Sequence, residues 1–252
     1  MKIVLYIGCC GFCIARSRYY SVFSVVELQE TFYDLPDIDK LKKYRDEAPQ
    51  NFVFTMKAWQ GITHPLNSPT WKRSRFIPDK SLSDKYGFLR PTKEVFEAWE
   101  KVVEAAKVLQ AKVVVVQTPP SFDYTEENYR NAIDFFTATD TDIFVIGWEP
   151  RGTWLQHLDK VAEIVGRFKN VIHVVDPLKL LPAIDKPVTY FRLHGLGPGE
   201  VNYRYKYTDS DLEKLCKITL EFLARNRDVY VMFNNVYMAQ DAQKFIQLCR
   251  GS

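Results

Sequence analysis

No apolar run in this 252-residue sequence approaches the ~18 residues that a membrane-spanning helix requires. Charge of one sign is not in excess either. Thirty-four Lys and Arg against 31 Asp and Glu leave a net charge of +3, too mild for bulk charge to imply nucleic acid, so any electrostatic argument rests on local clusters. Histidine is scarce, with four in all, which excludes a dense multi-metal histidine set. Cysteine is sparse and odd in number: Cys9, Cys10, Cys13, Cys216 and Cys249 form no regular framework, and they argue for a reducing cytoplasm. The opening MKIVLYIG reads as a strand and a turn, too short and wrongly flanked for an export signal. Internal repeats and low-complexity segments are absent.

What is present is a series of short apolar segments, each closing on polar residues. They are KIVLYIG-CCGF, VVELQETFY, FVFTMK, KVVVVQTPP, IFVIGWEPR, VIHVVDP, VTYFRLHG and VYVMFNN, separated mostly by stretches of helical character. Strands alternating with helices in this number predict a single (β/α)8 barrel domain over residues 1–252, for which the length is typical. Predicted helices fall at Pro36–Ala48, Lys93–Gln110, Thr125–Thr137, Thr153–Phe168, Asp209–Arg225 and Tyr237–Cys249. Between Ala58 and Lys93 no period appears, and Pro65, Pro69, Pro78 and Pro91 interrupt the chain; a loop of this length reads as a lid or binding loop.

In a (β/α)8 barrel the chemistry sits at the C-terminal ends of the strands. Those ends carry Glu27, Lys57, Gln117, Glu149, Asp176, Arg192, His194 and Asn234. Barrel strands alternate between interior and helix layer. The same phase runs through Val115 and Gln117, Gly147 and Glu149, Val174 and Asp176, Met232 and Asn234, and Tyr190, Arg192 and His194.

The segments also resemble a known family. Val26-Glu27-Leu28-Gln29-Glu30-Thr31-Phe32-Tyr33 is similar to the VEINSTFY signature of the YecE-like family, also called domain of unknown function 72. The resemblance continues through Lys57, Thr63-His64, Gln117-Thr118-Pro119-Pro120-Ser121-Phe122, Glu149 with Arg151 and Trp154, Asp176, Arg192-Leu193-His194-Gly195, Tyr203 with Tyr207, and Phe233-Asn234-Asn235, over nearly the whole chain. It implies a TIM barrel and supplies no activity. The sequence departs from the family where the first strand ends, reading Gly8-Cys9-Cys10-Gly11 in place of GTSG, at Gln29-Glu30, and at Gly152, where the family often has histidine.

Glu27, Glu149 and Asp176, with His194 or His64, could hold a divalent metal and activate water, or act as general acid and base without one. The plainer reading is an ion-pair network with Lys57, Arg151 and Arg192. Those cations and His194 suit a phosphate or carboxylate ligand. The glycine-rich His194–Gly199 offers a backbone phosphate turn or merely a flexible loop. Tyr203-Arg204-Tyr205-Lys206-Tyr207 and the basic, aromatic segment from His64 to Lys93 suit a polyanion, or are solvated loops packing their rings on the barrel. Cys10-Gly11-Phe12-Cys13 lacks the second pair a structural zinc site needs, and small buried thiols are the expectation for the cysteines.

The leading expectation is a phosphodiester hydrolase acting on nucleic acid. Glu27, Glu149, Asp176 and His194 would be catalytic. Lys57, His64, Gln117, Arg151, Arg192, Tyr203, Asn234 and Asn235 would bind substrate. A divalent metal is possible, with no ligand set assigned. Barrels of the endonuclease IV and sugar isomerase group, which use metal-bound carboxylates and histidines at strand ends, are a fold-level analogy only. Two alternatives stand beside it: an enzyme or binder for a small phosphorylated or sugar-like metabolite, and a non-catalytic nucleic-acid-binding protein. No membrane partner is expected, and the sequence leaves the oligomeric state open.

Overall fold

The computed structural model describes residues 3–250. Eight strands run β1 (Leu5–Cys10), β2 (Val25–Leu28), β3 (Val53–Lys57), β4 (Val113–Gln117), β5 (Val145–Glu149), β6 (Val171–His173), β7 (Val188–Leu193) and β8 (Asp228–Phe233). They form one sheet in the order β6-β5-β4-β3-β2-β1-β8-β7. Val175, just past β6, makes a parallel bridge to Phe191 of β7, so the order returns on itself. This is the (β/α)8 barrel that the alternation of segments predicts. Between the strands lie α1 (Arg16–Val22), α2 (Glu30–Tyr33), α3 (Ile38–Glu47), α4 (Gln60–Thr63), α5 (Lys93–Leu109), α6 (Glu126–Thr139), α7 (Leu158–Arg167), α8 (Asp209–Ala224) and α9 (Met238–Arg250).

The chain divides into two compact units. The first comprises residues up to Glu27, Pro49–Val53 and everything from Ile172 onward; the second comprises Leu28–Ala48 and Phe54–Val171. In the second unit Val113 to Val116 of β4 are buried without alternation, as a parallel strand covered on both faces must be. β4 pairs with β5 so that Val115 lies opposite Gly147 and Gln117 opposite Glu149. Helix α5 begins where the Thr92 hydroxyl accepts the Val95 N–H at 3.4 Å. It buries Val95, Ala98, Trp99, Val102, Ala105, Ala106 and Leu109, the stripe read from the sequence, and it ends at Gln110 in the left-handed region.

In the first unit β7 and β8 pair with Tyr190 opposite Tyr230, and β8 and β1 with Tyr230 opposite Tyr6. The rings of Tyr6, Tyr230 and Tyr190 stack, at centroid distances of 4.6 and 5.3 Å. Helix α8 starts on a reciprocal capping pair of Thr208 and Asp211. Cys216 of α8 and Cys249 of α9 are joined by a disulfide across a sequence separation of 33, where isolated buried thiols were expected.

Gly8 in β1 lies tight against the backbone of β2. A Cβ there would lie 1.9 Å from the Val25 carbonyl oxygen of β2. The obstacle is backbone and cannot swing away. Gly8→Ala is therefore expected to destabilise the fold by ~3 kcal/mol or more, seen as a lower urea midpoint; a variant as stable as the parent would show that β1 and β2 are free to separate.

The segment from Ala58 to Lys93 is more ordered than its sequence suggests. After α4 it forms two 3-10 turns, Pro69–Arg73 and Lys80–Leu82, capped by the side chains of Ser68 and Asp79. Its return is pinned by backbone bonds from Gly87, Phe88 and Leu89 to the carbonyls of Gly61, Thr63 and Ile62. The helix predicted over Thr153–Phe168 is divided into a 3-10 turn at Gly152–Gln156 and α7.

Candidate functional site: two clusters at strand ends

In the first unit, Glu27 and Arg192 form a wholly buried ion pair, with both side chains 0% exposed. Arg192 engages both carboxylate oxygens, Nε to Oε2 at 3.1 Å and a terminal nitrogen to Oε1 at 2.8 Å. The Tyr190 hydroxyl donates to Oε2 at 2.8 Å. Tyr190 and Arg192 are two residues apart on β7 and meet the same carboxylate, so they share the strand face that the alternation assigned. This is the two-pronged geometry in which guanidinium and carboxylate bind most strongly. Arg192 also approaches the Cys10 sulfur, at 3.8 Å.

Asp176 accepts the backbone N–H of Leu178 on one oxygen and of His194 on the other, at 3.2 and 3.1 Å. Asn234 at the end of β8 places its amide nitrogen 3.1 Å from His194 Nδ1. Asn235 donates to the Tyr205 carbonyl and to Asp241, which ties the loop after β7 to α9. The tyrosine-rich segment splits by role. The Tyr207 hydroxyl accepts the Gly195 N–H at 2.7 Å, and burial, reinforced by the charge of Asp176, pushes its phenol pKa up. Tyr205 donates to Asp211. Tyr203, Arg204 and Lys206 remain exposed, with Tyr203 edge-on to His194 at 6.1 Å. The Gly195 N–H, offered by the sequence as a phosphate ligand, thus binds Tyr207.

In the second unit, Lys57, His64, Glu149 and Arg151 come together, all four of them buried. Lys57 ends β3, and its ammonium lies 3.8 Å from the centroid of the Phe32 ring. The same ring meets His64 edge-on at 4.9 Å. The Thr31 hydroxyl donates to the Lys57 carbonyl at 2.7 Å and fixes the strand end. Arg151 pairs with Glu149 at 2.7 Å. Burial, then the charge of Lys57, then that of Arg151, lower the His64 pKa to about 3. Its Nδ1 lies 2.7 Å from the Thr63 hydroxyl. With that hydroxyl as donor, the neutral ring carries its proton on Nε2. Gln117 is half-buried, level with Glu149 in the β4–β5 ladder.

On the outside of this unit the basic segment is exposed at Lys72, Arg73, Arg75 and Lys80, as are Phe76 (59%) and Ile77 (57%). Trp71 turns inward against Trp59, at 5.7 Å. Arg73 stacks on the Tyr33 ring at 3.9 Å, and Asp34 accepts the Arg75 N–H. A cleft of about 340 Å³ opens here, lined by Asp34, Leu35, Trp59, Arg75, Phe76 and Lys101. Among the described residues, no three His, Cys, Asp or Glu side chains stand together as metal ligands. The carboxylates proposed for that role are each engaged by nitrogen or hydroxyl donors, so the arrangement does not fit a resident metal.

Sequence reasoning grouped Glu27 with three possible cations, and Arg192 is paired with it. It missed Tyr190 as a partner of Glu27, although the strand phase had put both Tyr190 and Arg192 on one face. It also missed Phe32 and Thr63, whose roles arise only from folding α2 and α4 beside Lys57 and His64.

Fold and strand-end chemistry together define a (β/α)8 barrel protein with ionic clusters where such barrels carry their sites. Residues 16–251 match the family described as Protein of unknown function DUF72, and the chain belongs to it. The YecE-like resemblance is the same assignment. The chain is similar to the UPF0759 protein YunF of Bacillus subtilis, at 26% identity over 86% of this chain and 79% of that protein. It is also similar to the solved DUF72 family protein from Enterococcus faecalis, at 21% identity and a TM-score of 0.72 over 99% of this chain and 98% of that one. The DUF72 family protein from Thermotoga maritima gives 20% identity and a TM-score of 0.70, covering 98% and 99% of the two chains. These structures support the fold. No helix among the described residues is long and apolar enough to cross a membrane.

Proposed function

We propose that this protein binds a phosphate ester at the Lys57–His64–Arg151 cluster and hydrolyses a phosphodiester there, with nucleic acid as the substrate class. The observation that carries the reading is the chemistry of the cluster. Lys57 and Arg151 are cationic hydrogen-bond donors, and with the Thr63 hydroxyl donating to Nδ1 the neutral His64 ring adds an Nε2–H. Such a set calls for an anion rich in acceptors. Lys57 and Arg151 would hold phosphoryl oxygens and offset the charge that builds on them in the transition state. His64, neutral at physiological pH, would donate a hydrogen bond without adding a third charge. Glu149, held by Arg151, would take the proton from the attacking water. In this reading Glu27 positions Arg192, and Asp176 with Asn234 fixes His194. The exposed cations and the Trp59–Phe76 cleft support a polyanion whose bases stack on rings.

One observation favours the small-metabolite alternative: the cluster itself is less than one-tenth exposed, which suits a compact ligand. A single assay separates the readings. Labelled single-stranded, double-stranded and abasic oligonucleotides are incubated with the protein, with and without divalent cations, across a salt series. Cleavage abolished by Glu149→Gln, with affinity falling steeply as salt rises, is the expected result. Salt-sensitive binding without cleavage would replace the hydrolase with a binder. No binding to any oligonucleotide would leave the phosphorylated metabolite.

A further inference from the structure

The loops that follow β7 and β8 carry chemistry that the proposed function leaves unused. Tyr203, Val236 and Tyr237 remain 45%, 69% and 37% exposed. They are neighbours, because the Val236 N–H donates to the Tyr203 carbonyl at 2.7 Å. Arg204 and Lys206 alternate with the tyrosines and are exposed too. Lys206 Nζ stands 5.4 Å from the centroid of the Tyr237 ring. Large apolar side chains left in water together, rather than scattered singly, mark an interaction surface.

The backbone beneath these side chains is held from several sides. The Asn202 N–H donates to the His194 carbonyl at 2.8 Å, and the Tyr205 N–H to the Asn202 carbonyl at 2.9 Å. The Asn202 side chain donates to the Leu196 carbonyl, and that of Asn235 to the Tyr205 carbonyl. Gly195, at φ 81°, permits the fold-back: a Cβ there would lie 2.0 Å from the Asn202 carbonyl oxygen. The rings are thus presented on a fixed support, which lowers the ordering cost of binding. The carboxylates of these loops and helices have partners of their own. Asp209 pairs with Lys244, Asp211 accepts from Tyr205 and Thr208, and Asp241 accepts from Asn235. Arg204 and Lys206 make no ion pair among the described residues.

We propose that this surface is a docking platform for single-stranded nucleic acid, with unpaired bases stacked on Tyr203 and Tyr237 and phosphates met by Arg204 and Lys206. The platform takes its ligand class from the function proposed above but not its chemistry, since none of these residues belongs to the Lys57–His64–Arg151 cluster. Exposed rings interleaved with unpaired cations match a strand in which bases alternate with phosphates. A duplex keeps its base faces stacked and would meet only the cations. An acidic peptide would likewise meet the cations and leave the open ring faces unused.

The test measures binding of the full chain to a labelled oligothymidine and to a duplex of equal length, across a salt series, with a gel of the same samples reading cleavage. Tyr203→Ala and Tyr237→Ala should each weaken single-strand binding by about 5- to 150-fold and leave duplex binding as in the parent. Tyr203→Phe and Tyr237→Phe should keep the parent's affinity, because the stacking ring remains. Arg204→Ala with Lys206→Ala should flatten the slope of log affinity against log salt by about 1.4, the loss of two phosphate contacts on a single strand. Circular dichroism checks that each variant is folded. A parent that binds single strands, with alanine variants that bind them equally well, would overturn the platform and leave the nucleic-acid reading of the cluster standing. Binding that depends on the two tyrosines without any cleavage would support the platform and remove the hydrolase. No binding to any oligonucleotide would overturn both. Alanine variants that change the mass of the protein in solution, and not its affinity for oligothymidine, would overturn the platform in favour of a contact between copies of the chain.

Discussion

Arg192→Met is expected to lower the stability of this protein by about 3–5 kcal/mol, because it leaves the Glu27 carboxylate buried without its counter-charge. Both partners are wholly excluded from solvent, so water cannot replace the lost guanidinium. Tyr190 would still donate its hydrogen bond, but a neutral donor does not neutralise a charge. Arg192→Lys should fall between, since an ammonium restores the charge but cannot engage both oxygens as a fork. The double variant Glu27→Met with Arg192→Met should recover much of the loss, because a pair removed together leaves no orphan. Urea unfolding of the four proteins decides it. A single variant as stable as the parent would mean that the pair is solvated in solution.

The second large effect concerns pH. His64 should remain neutral at pH 5, where an ordinary histidine is charged, because its pKa in the folded protein is about 3. The sign follows from the folded value lying below the unfolded one. As pH falls through about 6.5, the unfolded chain takes up a proton that the folded chain refuses, and stability drops by up to ~1.4 kcal/mol per pH unit. The loss levels off near pH 3, where the folded ring also protonates. Above pH 6.5 this residue makes stability no more pH-dependent. Denaturant midpoints at pH 7 and 5 should therefore differ, and His64→Gln should shrink the difference. Phosphate bound between Lys57 and Arg151 would offset two of the causes and move the His64 titration upward, which NMR of the ring can follow. A ring that titrates near 6.5 in the free protein would remove the basis of the donor-only cluster.

Much of this was legible in the sequence, because barrel strands announce themselves as apolar runs with polar ends. Glu27, Lys57, Glu149 and Arg192 stand at or beside those ends as read, and Tyr190 and Arg192 share a face as the alternation required. Pairing was not legible. Glu27 had three candidate cations, and the choice depends on three successive registers, β2 with β1, β1 with β8 and β8 with β7, which no local pattern encodes. The sixth strand was read through to Asp176, yet its ladder stops at His173 and resumes only as a bridge at Val175. Four prolines hid the order in residues 58–93, where short caps and backbone bonds do the work of longer periodic structure. The link between Cys216 and Cys249 was invisible because it depends on α8 packing against α9, a tertiary fact.

The Glu27–Arg192 pair also bears on how the chain is born. Its members are separated by 165 residues. At about 5–20 residues per second, Glu27 leaves the ribosome roughly 8–30 s before Arg192 exists. Throughout that interval the second strand carries a charge that cannot be desolvated. The end of the second strand therefore stays in water until the seventh strand arrives. A chain stopped short of Arg192 leaves Glu27 in water and the end of the second strand unpacked, whatever the rest of the chain has formed.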